Sequence, residues 1–168
     1  MTQKQSLKTR LAKKVTDKNF WISNLKTLVL MLVIALIITQ YQQRNMTTGK
    51  APLINNIDYS QGPTLVYFWG SWCPICKTTS PSVSTLTDEE QYQIISVALS
   101  SGSDKDIHNY QQEHGYTFKT INDDNGQISQ QWGVEVTPSF FIINKEGEIT
   151  STSTGMTSLW GMKFRLIL

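Results

Sequence analysis

Residues 64–77 constrain this chain more than any other stretch. Thr64-Leu-Val-Tyr-Phe-Trp69 is a short, nearly continuous apolar run, the pattern of a strand buried on both faces. Cys73 and Cys76 come directly after it, two residues apart, with Pro74 and Ile75 between them. Pro74 suits the first position of a helix, where its missing N–H would have had no partner. A helix is therefore expected from Pro74 to about Thr87, with Pro81 as a kink inside it.

A cysteine pair at that junction has a specific chemistry. The first turn of a helix leaves N–H groups unpaired and carries a partial positive charge, and both favour a thiolate. Cys73 at the helix start is thus expected to be exposed, low in pKa and nucleophilic. Cys76, one turn inward, is close enough to form a small disulfide ring and to resolve a mixed disulfide. Two other readings stand beside this one. The pair could be half of a zinc site, but the two histidines, His108 and His114, lie six apart and on different helix faces. It could be a structural disulfide, but so short a loop stabilises little.

Beyond this junction the chain alternates strands and helices. Strands are expected at Gln93–Leu99, Thr117–Ile121, Ser139–Ile143 and Glu148–Ser153, the last two joined by a turn at Asn144–Gly147. Helices are expected from Ser103-Asp104 to His114, from Asp123 to Trp132, and from about Ser158. The fold class is α/β, a mixed central sheet with parallel strands and an antiparallel hairpin at one side. Phe68 and Trp69 read as core, Trp132 and Trp160 as core or interface, and Trp72 as a partly exposed wall beside Cys73.

Charge is distributed unevenly. The first 26 residues hold seven Lys and Arg against Asp17, whereas the remainder holds eight basic and twelve acidic residues. An apolar stretch comes after the basic arm, with Thr27-Leu-Val-Leu-Met-Leu-Val-Ile-Ala-Leu-Ile-Ile-Thr39 at its centre. That order argues against a nucleic-acid arm. The expectation is a basic cytoplasmic arm at 1–24, a transmembrane signal anchor at 25–43, a linker at 44–61 with a short strand at 53–57, and an exported domain at 62–168. Lys26 would snorkel, and Phe20, Trp21 and Tyr41 would mark the interfaces. A cleaved signal peptide and a buried soluble helix are the competing readings. Bulky polar residues at 40–45 disfavour cleavage, and the lack of a polar face disfavours the soluble helix. The positive-inside rule then sends residues 46–168 outward, to the periplasmic face of a bacterial inner membrane, an oxidising compartment.

The segment Phe68-Trp-Gly-Ser-Trp-Cys-Pro-Ile-Cys-Lys77 resembles the active site of the thioredoxin superfamily. Val134-Glu-Val-Thr-Pro-Ser-Phe-Phe141 resembles its cis-proline loop. The resemblance implies a thioredoxin fold, with Pro138 as the cis residue and the backbone of Thr137 pairing with bound polypeptide. Tyr67, Ser100-Ser-Gly102 and the tail Thr154–Leu166 are similar to the copper-sensitivity-suppressor branch of ScsD-like and TlpA-like anchored oxidoreductases. The resemblance further implies a redox-active Cys73–Cys76 disulfide, a site completed by Trp72, Pro74, Ile75, Thr137 and Pro138, and no cofactor or metal.

Tyr67 stands where thioredoxin has a buried aspartate, and Thr79 stands where cytochrome c maturation relatives often have a glutamate. The proton acceptor for Cys76 is therefore open, with water or the field of Lys77 as candidates. Pro74-Ile75 lacks the histidine of the strongly oxidising relatives, which leans toward a reductase. Such a reductase needs protein clients with thiols or disulfides, and a membrane electron donor of the thiol-reductant transporter type. Haem-thiol reduction for cytochrome c maturation is an alternative activity. A non-catalytic Cu(I) carrier or redox clasp is an alternative class, although Met1, Met31, Met46, Met156 and Met162 show no copper-binding spacing.

Overall fold

The computed structural model describes residues 18–44, 46–54 and 57–167. The basic arm before Lys18 lies outside the described residues. The chain divides into two compact units, Met1–Tyr41 and Gln42–Leu168.

A helix, α1, runs from Lys18 to Arg44, and its large apolar side chains from Leu28 to Ile38 are all exposed. Among the described residues, no helix is long and apolar enough to cross a membrane. The helix expected at 25–43 is present, but its strictly apolar part, 28–38, rises only about 16 Å against a hydrocarbon core of about 30 Å.

The second unit is built on one six-stranded sheet. Its strands are β1 (Gly49–Lys50), β2 (Thr64–Trp69), β3 (Gln93–Leu99), β4 (Thr120–Asp123), β5 (Ser139–Ile143) and β6 (Glu148–Thr154), in the order β1-β6-β5-β2-β3-β4. β2, β3 and β4 are mutually parallel, whereas β5 is antiparallel to β2 and to β6. The helices are α2 (Pro74–Thr87), α3 (Asp104–His114), α4 (Gln127–Gln131) and α5 (Leu159–Ile167). This is the mixed α/β thioredoxin fold.

All six side chains of β2 are buried, and their alternation divides the core in two. Leu65, Tyr67 and Trp69 join Cys73, Cys76, Val83, Phe118, Phe140, Met162 and Leu166 on one face. Val66 and Phe68 join Ile95, Val97, Trp132, Phe141 and Ile143 on the other. Helix caps are local. Ser103 and Asp106 form a reciprocal capping box at the start of α3, and Gly115 ends that helix at φ +66°, together worth about 1–2 kcal/mol.

Four sequence expectations shift. The segment expected as a linker contributes to the core, since Met46, Ala51, Ile54 and Tyr59 are buried in the second cluster. No strand forms among the described residues of 53–57, because Ile57 N–H turns back onto the Ile54 carbonyl. The pairing segment is β1, opposite Glu148 and Ile149. Pairing of β4 begins at Thr120 rather than Thr117. Thr117 is held by Ser84 and Thr87 of α2, and Gln111 donates to the Phe118 carbonyl. Helix α4 begins at Gln127, not Asp123, because Gly126 at φ +70° closes a turn after the strand. Asp123 caps the helix from that distance, its buried carboxylate accepting from Ile128 N–H, Ser129 N–H and the Ser129 hydroxyl.

Candidate active site

The parallel strand β2 delivers the chain to its C-terminal end, and α2 starts there. Cys73 is the N-cap of α2 with extended backbone (φ −88°, ψ 111°), and Pro74 occupies the first helical position. The Cys76 N–H, one of the unpaired donors of the first turn, points back at Cys73 Sγ at 3.1 Å. Cys73 and Cys76 form a disulfide with their Cα atoms 5.2 Å apart.

The loop before β5 faces this pair. The Thr137–Pro138 peptide bond is cis, and the Thr137 carbonyl oxygen lies 3.5 Å from Cys73 Sγ. Residues 64 apart in sequence thus meet at the sulfur. The expectation that Cys73 is exposed is corrected, since it is only 2% exposed and Cys76 1%. The Thr137 carbonyl of the cis-proline loop lies against the sulfur, an approach that a sequence read element by element cannot anticipate.

The exposed surface beside the disulfide is apolar. Pro74 is exposed, Ile75 is 46% exposed and Trp72 is 57% exposed. Trp72 is nevertheless held, because its indole N–H donates to the Leu99 carbonyl at 3.1 Å. Gly70 makes room for it, since a Cβ there would come within 2.7 Å of the indole. The loop after β3 supplies further support. Ser71 N–H donates to Ser101 Oγ at 3.0 Å, and that hydroxyl donates to the Leu99 carbonyl. Trp69 and Phe68 are core as expected, and so is Trp132. Trp160 is not, being 77% exposed with the Lys163 ammonium 5.5 Å from its ring.

Behind the cysteines the inner face of α2 is buried at Thr79 and Ser80. The Thr79 hydroxyl returns to the Ile75 carbonyl, within its own helix. Ser80 Oγ lies 2.9 Å from the Tyr67 hydroxyl. Burial raises the Tyr67 phenol far above its ordinary value, while the Ser80 hydrogen bond opposes that shift. Tyr67 stacks on Phe140 at 5.0 Å and meets Phe118 edge-on. The sequence carries a signal for Ser80 in its spacing. It lies four residues after Cys76, on the same helix face.

Among the carboxylates, Glu113 and Glu135 are exposed and Asp123 is committed to α4. His108 is exposed, and His114 stacks on Tyr110 at 4.1 Å. No group of three His, Cys, Asp or Glu that could hold a metal occurs among the described residues. A groove of about 690 Å³ lies near the opposite end of β3, lined by residues such as Tyr92, Ile95 and Ile121, and does not include the cysteines.

Comparison with known proteins gives several relatives. The chain is 44% identical over 118 residues to a thioredoxin-like protein of Haemophilus influenzae, covering 70% of this chain and 69% of that one. It is 31% identical over 108 residues to a thiol:disulfide interchange protein DsbE homolog of Paracoccus denitrificans, covering 64% of this chain but only 59% of the relative. The solved structure of StoA from Bacillus subtilis superposes with a TM-score of 0.57 at 24% identity, over 62% of this chain and 82% of that one, and speaks to the fold alone. Residues 40–152 match the model of the AhpC/TSA family. A thioredoxin fold that sets a cysteine pair at the start of α2 is equipped for enzymatic disulfide chemistry, and the chain belongs to the AhpC/TSA family.

Proposed function

We propose that this chain is a membrane-tethered thiol–disulfide oxidoreductase of the periplasmic face, acting on protein thiols and disulfides and working as a reductase. The observation that carries the reading is the sulfur of Cys73, met by the Cys76 N–H on one side and the Thr137 carbonyl on the other. In the reduced protein, the Cys73 thiolate attacks one sulfur of a client disulfide. A Cys73–client bond forms and the other client sulfur leaves as a thiolate. Cys76 then loses its proton and attacks Cys73, the Cys73–Cys76 bond closes, and the second client sulfur leaves. Two electrons pass to the client, and two protons end on its sulfurs. Trp72, Pro74 and Ile75 form the wall against which the client lies, and the backbone of Thr137 before Pro138 pairs with it.

Return to the dithiol needs two electrons, drawn from a membrane donor of the thiol-reductant transporter type. Tethering is supported by α1. Its apolar side chains surround the helix and stay exposed, which a helix in water does not sustain. Trp21, Lys26 and Tyr41 stand at the ends of the apolar stretch, where aromatic rings and a snorkelling ammonium extend a short span. The periplasmic side is supported by the basic arm that precedes the apolar stretch.

The deciding experiment is the reduction potential of the Cys73–Cys76 pair, measured on the full chain in detergent by equilibration in defined thiol buffers. A value near or below about −250 mV fits a reductant, whereas roughly −180 to −120 mV identifies an isomerase or oxidant and overturns the direction. A Cys76→Ser variant should trap mixed disulfides with clients. Loss of stoichiometric copper without trapped clients would instead make it a metal carrier.

A further inference from the structure

Resolution requires Cys76 to give up a proton, and Cys76 is 1% exposed, so bulk water does not reach it directly. Asp123 is the one buried carboxylate among the described residues, and three donors of α4 occupy it. What the fold does place behind the cysteine is a set of hydroxyls. Ser80 is fully buried one helical turn beyond Cys76, and positions four apart on a helix bring their Cβ atoms within about 5–6 Å. Its Oγ lies 2.9 Å from the hydroxyl of fully buried Tyr67. Burial raises the Tyr116 phenol above its ordinary value and the Ser80 hydroxyl opposes that shift, and Tyr116 is only partly buried. The Tyr116 hydroxyl also reaches the Lys77 carbonyl at 3.4 Å.

We propose that Ser80 is the positioning residue through which Cys76 exchanges its proton, with Tyr67 fixing the inner side of the Ser80 hydroxyl and Tyr116 carrying the outer side to solvent. The proposal rests on the reading of Cys73 as attacking and Cys76 as resolving sulfur. Tyr67 lies at the closed end of the chain of hydroxyls and stays protonated, so it donates to Ser80 Oγ. That leaves the Ser80 proton free to swing between Cys76 and Tyr116. As the Cys76 S–H bond breaks, Ser80 accepts that proton and passes its own to Tyr116, which passes one to water. No net proton stays on the hydroxyls. The Cys76 electron pair goes to the new bond with Cys73, and the client sulfur leaves with the pair from the bond that breaks. The ionisable groups around the outer end are Lys77 on α2, Tyr110, Glu113 and His114 on α3, and Tyr116 itself. The Lys77 ammonium lies 6.0 Å from the Tyr110 ring, and His114 sits 5.5 Å from the Tyr116 ring.

The test uses the full chain, reduced, in detergent, mixed in a stopped-flow instrument with a small aromatic disulfide whose thiolate absorbs at visible wavelengths. Attack by Cys73 releases the first thiolate, and resolution by Cys76 releases the second. For Ser80→Ala the first phase should keep its rate, while the second slows about tenfold or more near neutral pH, with its pH midpoint raised by about one unit. Ser80→Thr, which keeps a hydroxyl, should restore both. Tyr116→Phe should slow the second phase by a smaller factor, and it carries the test should Ser80→Ala fail to fold. A second phase that keeps its rate and midpoint in both Ser80→Ala and Tyr116→Phe overturns the proposal. A wild-type chain that shows no second phase removes the assignment of Cys76 on which the proposal rests, a failure distinct from that of the hydroxyls.

Discussion

The two faces of the central sheet are built from the same strands and do different work. On the cysteine face, the large β2 side chains carry polar tips, and each tip has a partner. Tyr67 meets Ser80, and the Trp69 indole donates to Ser96 Oγ at 3.2 Å. On the opposite face, Phe68, Phe141 and Trp132 pack ring against ring, with centroids 4.9 to 5.6 Å apart, and the Trp132 indole N–H has no hydrogen-bond partner among the described residues. Within β2, the side chains of one face satisfy hydrogen bonds close to the cysteine pair, and those of the other supply contact area. Polar tips cost free energy in a core unless they are paired. Their concentration behind the disulfide is therefore informative about chemistry, where the apolar face is informative about stability.

That division can be broken by substitution. The largest effect should come from Cys73→Ser, which is expected to lower disulfide exchange by at least about a thousandfold with the fold retained. Measured turnover within tenfold of wild type would move the nucleophile elsewhere. Next is Phe68→Ala on the other face, which should cost about 3–5 kcal/mol in chemical denaturation. Its exchange rate per folded molecule should match wild type, and a drop in that rate would join the two faces functionally. Tyr67→Phe keeps the ring and removes one hydroxyl, so the loss of stability should be about 1 kcal/mol. A loss as large as that of Phe68→Ala would mean that the cysteine face is also chiefly a packing device.

The smallest effect is alkaline. Burial pushes the Tyr59 phenol, on the apolar face, up to about 12 from its ordinary 10. A raised folded-state value means a contribution fully present below pH 10 and lost as pH climbs toward 12. Tyr59→Phe should flatten the fall of stability across that window, and an unchanged profile would show that the phenol titrates alike in folded and unfolded chains.

Much of this was legible from local patterns. The run Thr64–Trp69 marked the doubly buried strand, Pro74 marked the helix start, and Ser103 and Gly115 bounded α3 to the residue. Each signal is contained within a few residues. The contact on the Cys73 sulfur was not legible, since it comes from a carbonyl 64 residues away. Nor was the packing of residues 46–61. Met46, Ala51, Ile54 and Tyr59 are buried without any strand or helix period to announce them. Trp160, expected as core or interface, is not core, because its place on α5 leaves it outward. Ser80 is a small polar residue in a helix, and only the tertiary approach of Tyr67 gives it meaning.

Under the proposed function, Gly70 bears on the thermodynamics of client capture. An exposed tryptophan in a loop usually samples several rotamers, and freezing such a side chain on binding costs about 0.5–1.5 kcal/mol. The bare α-carbon of Gly70 admits the Trp72 ring, and the Leu99 carbonyl holds it, before any client arrives. The ordering cost has been met during folding, so the flat indole is a preorganised contact. Its contribution to affinity is spent on the client rather than on arranging the wall.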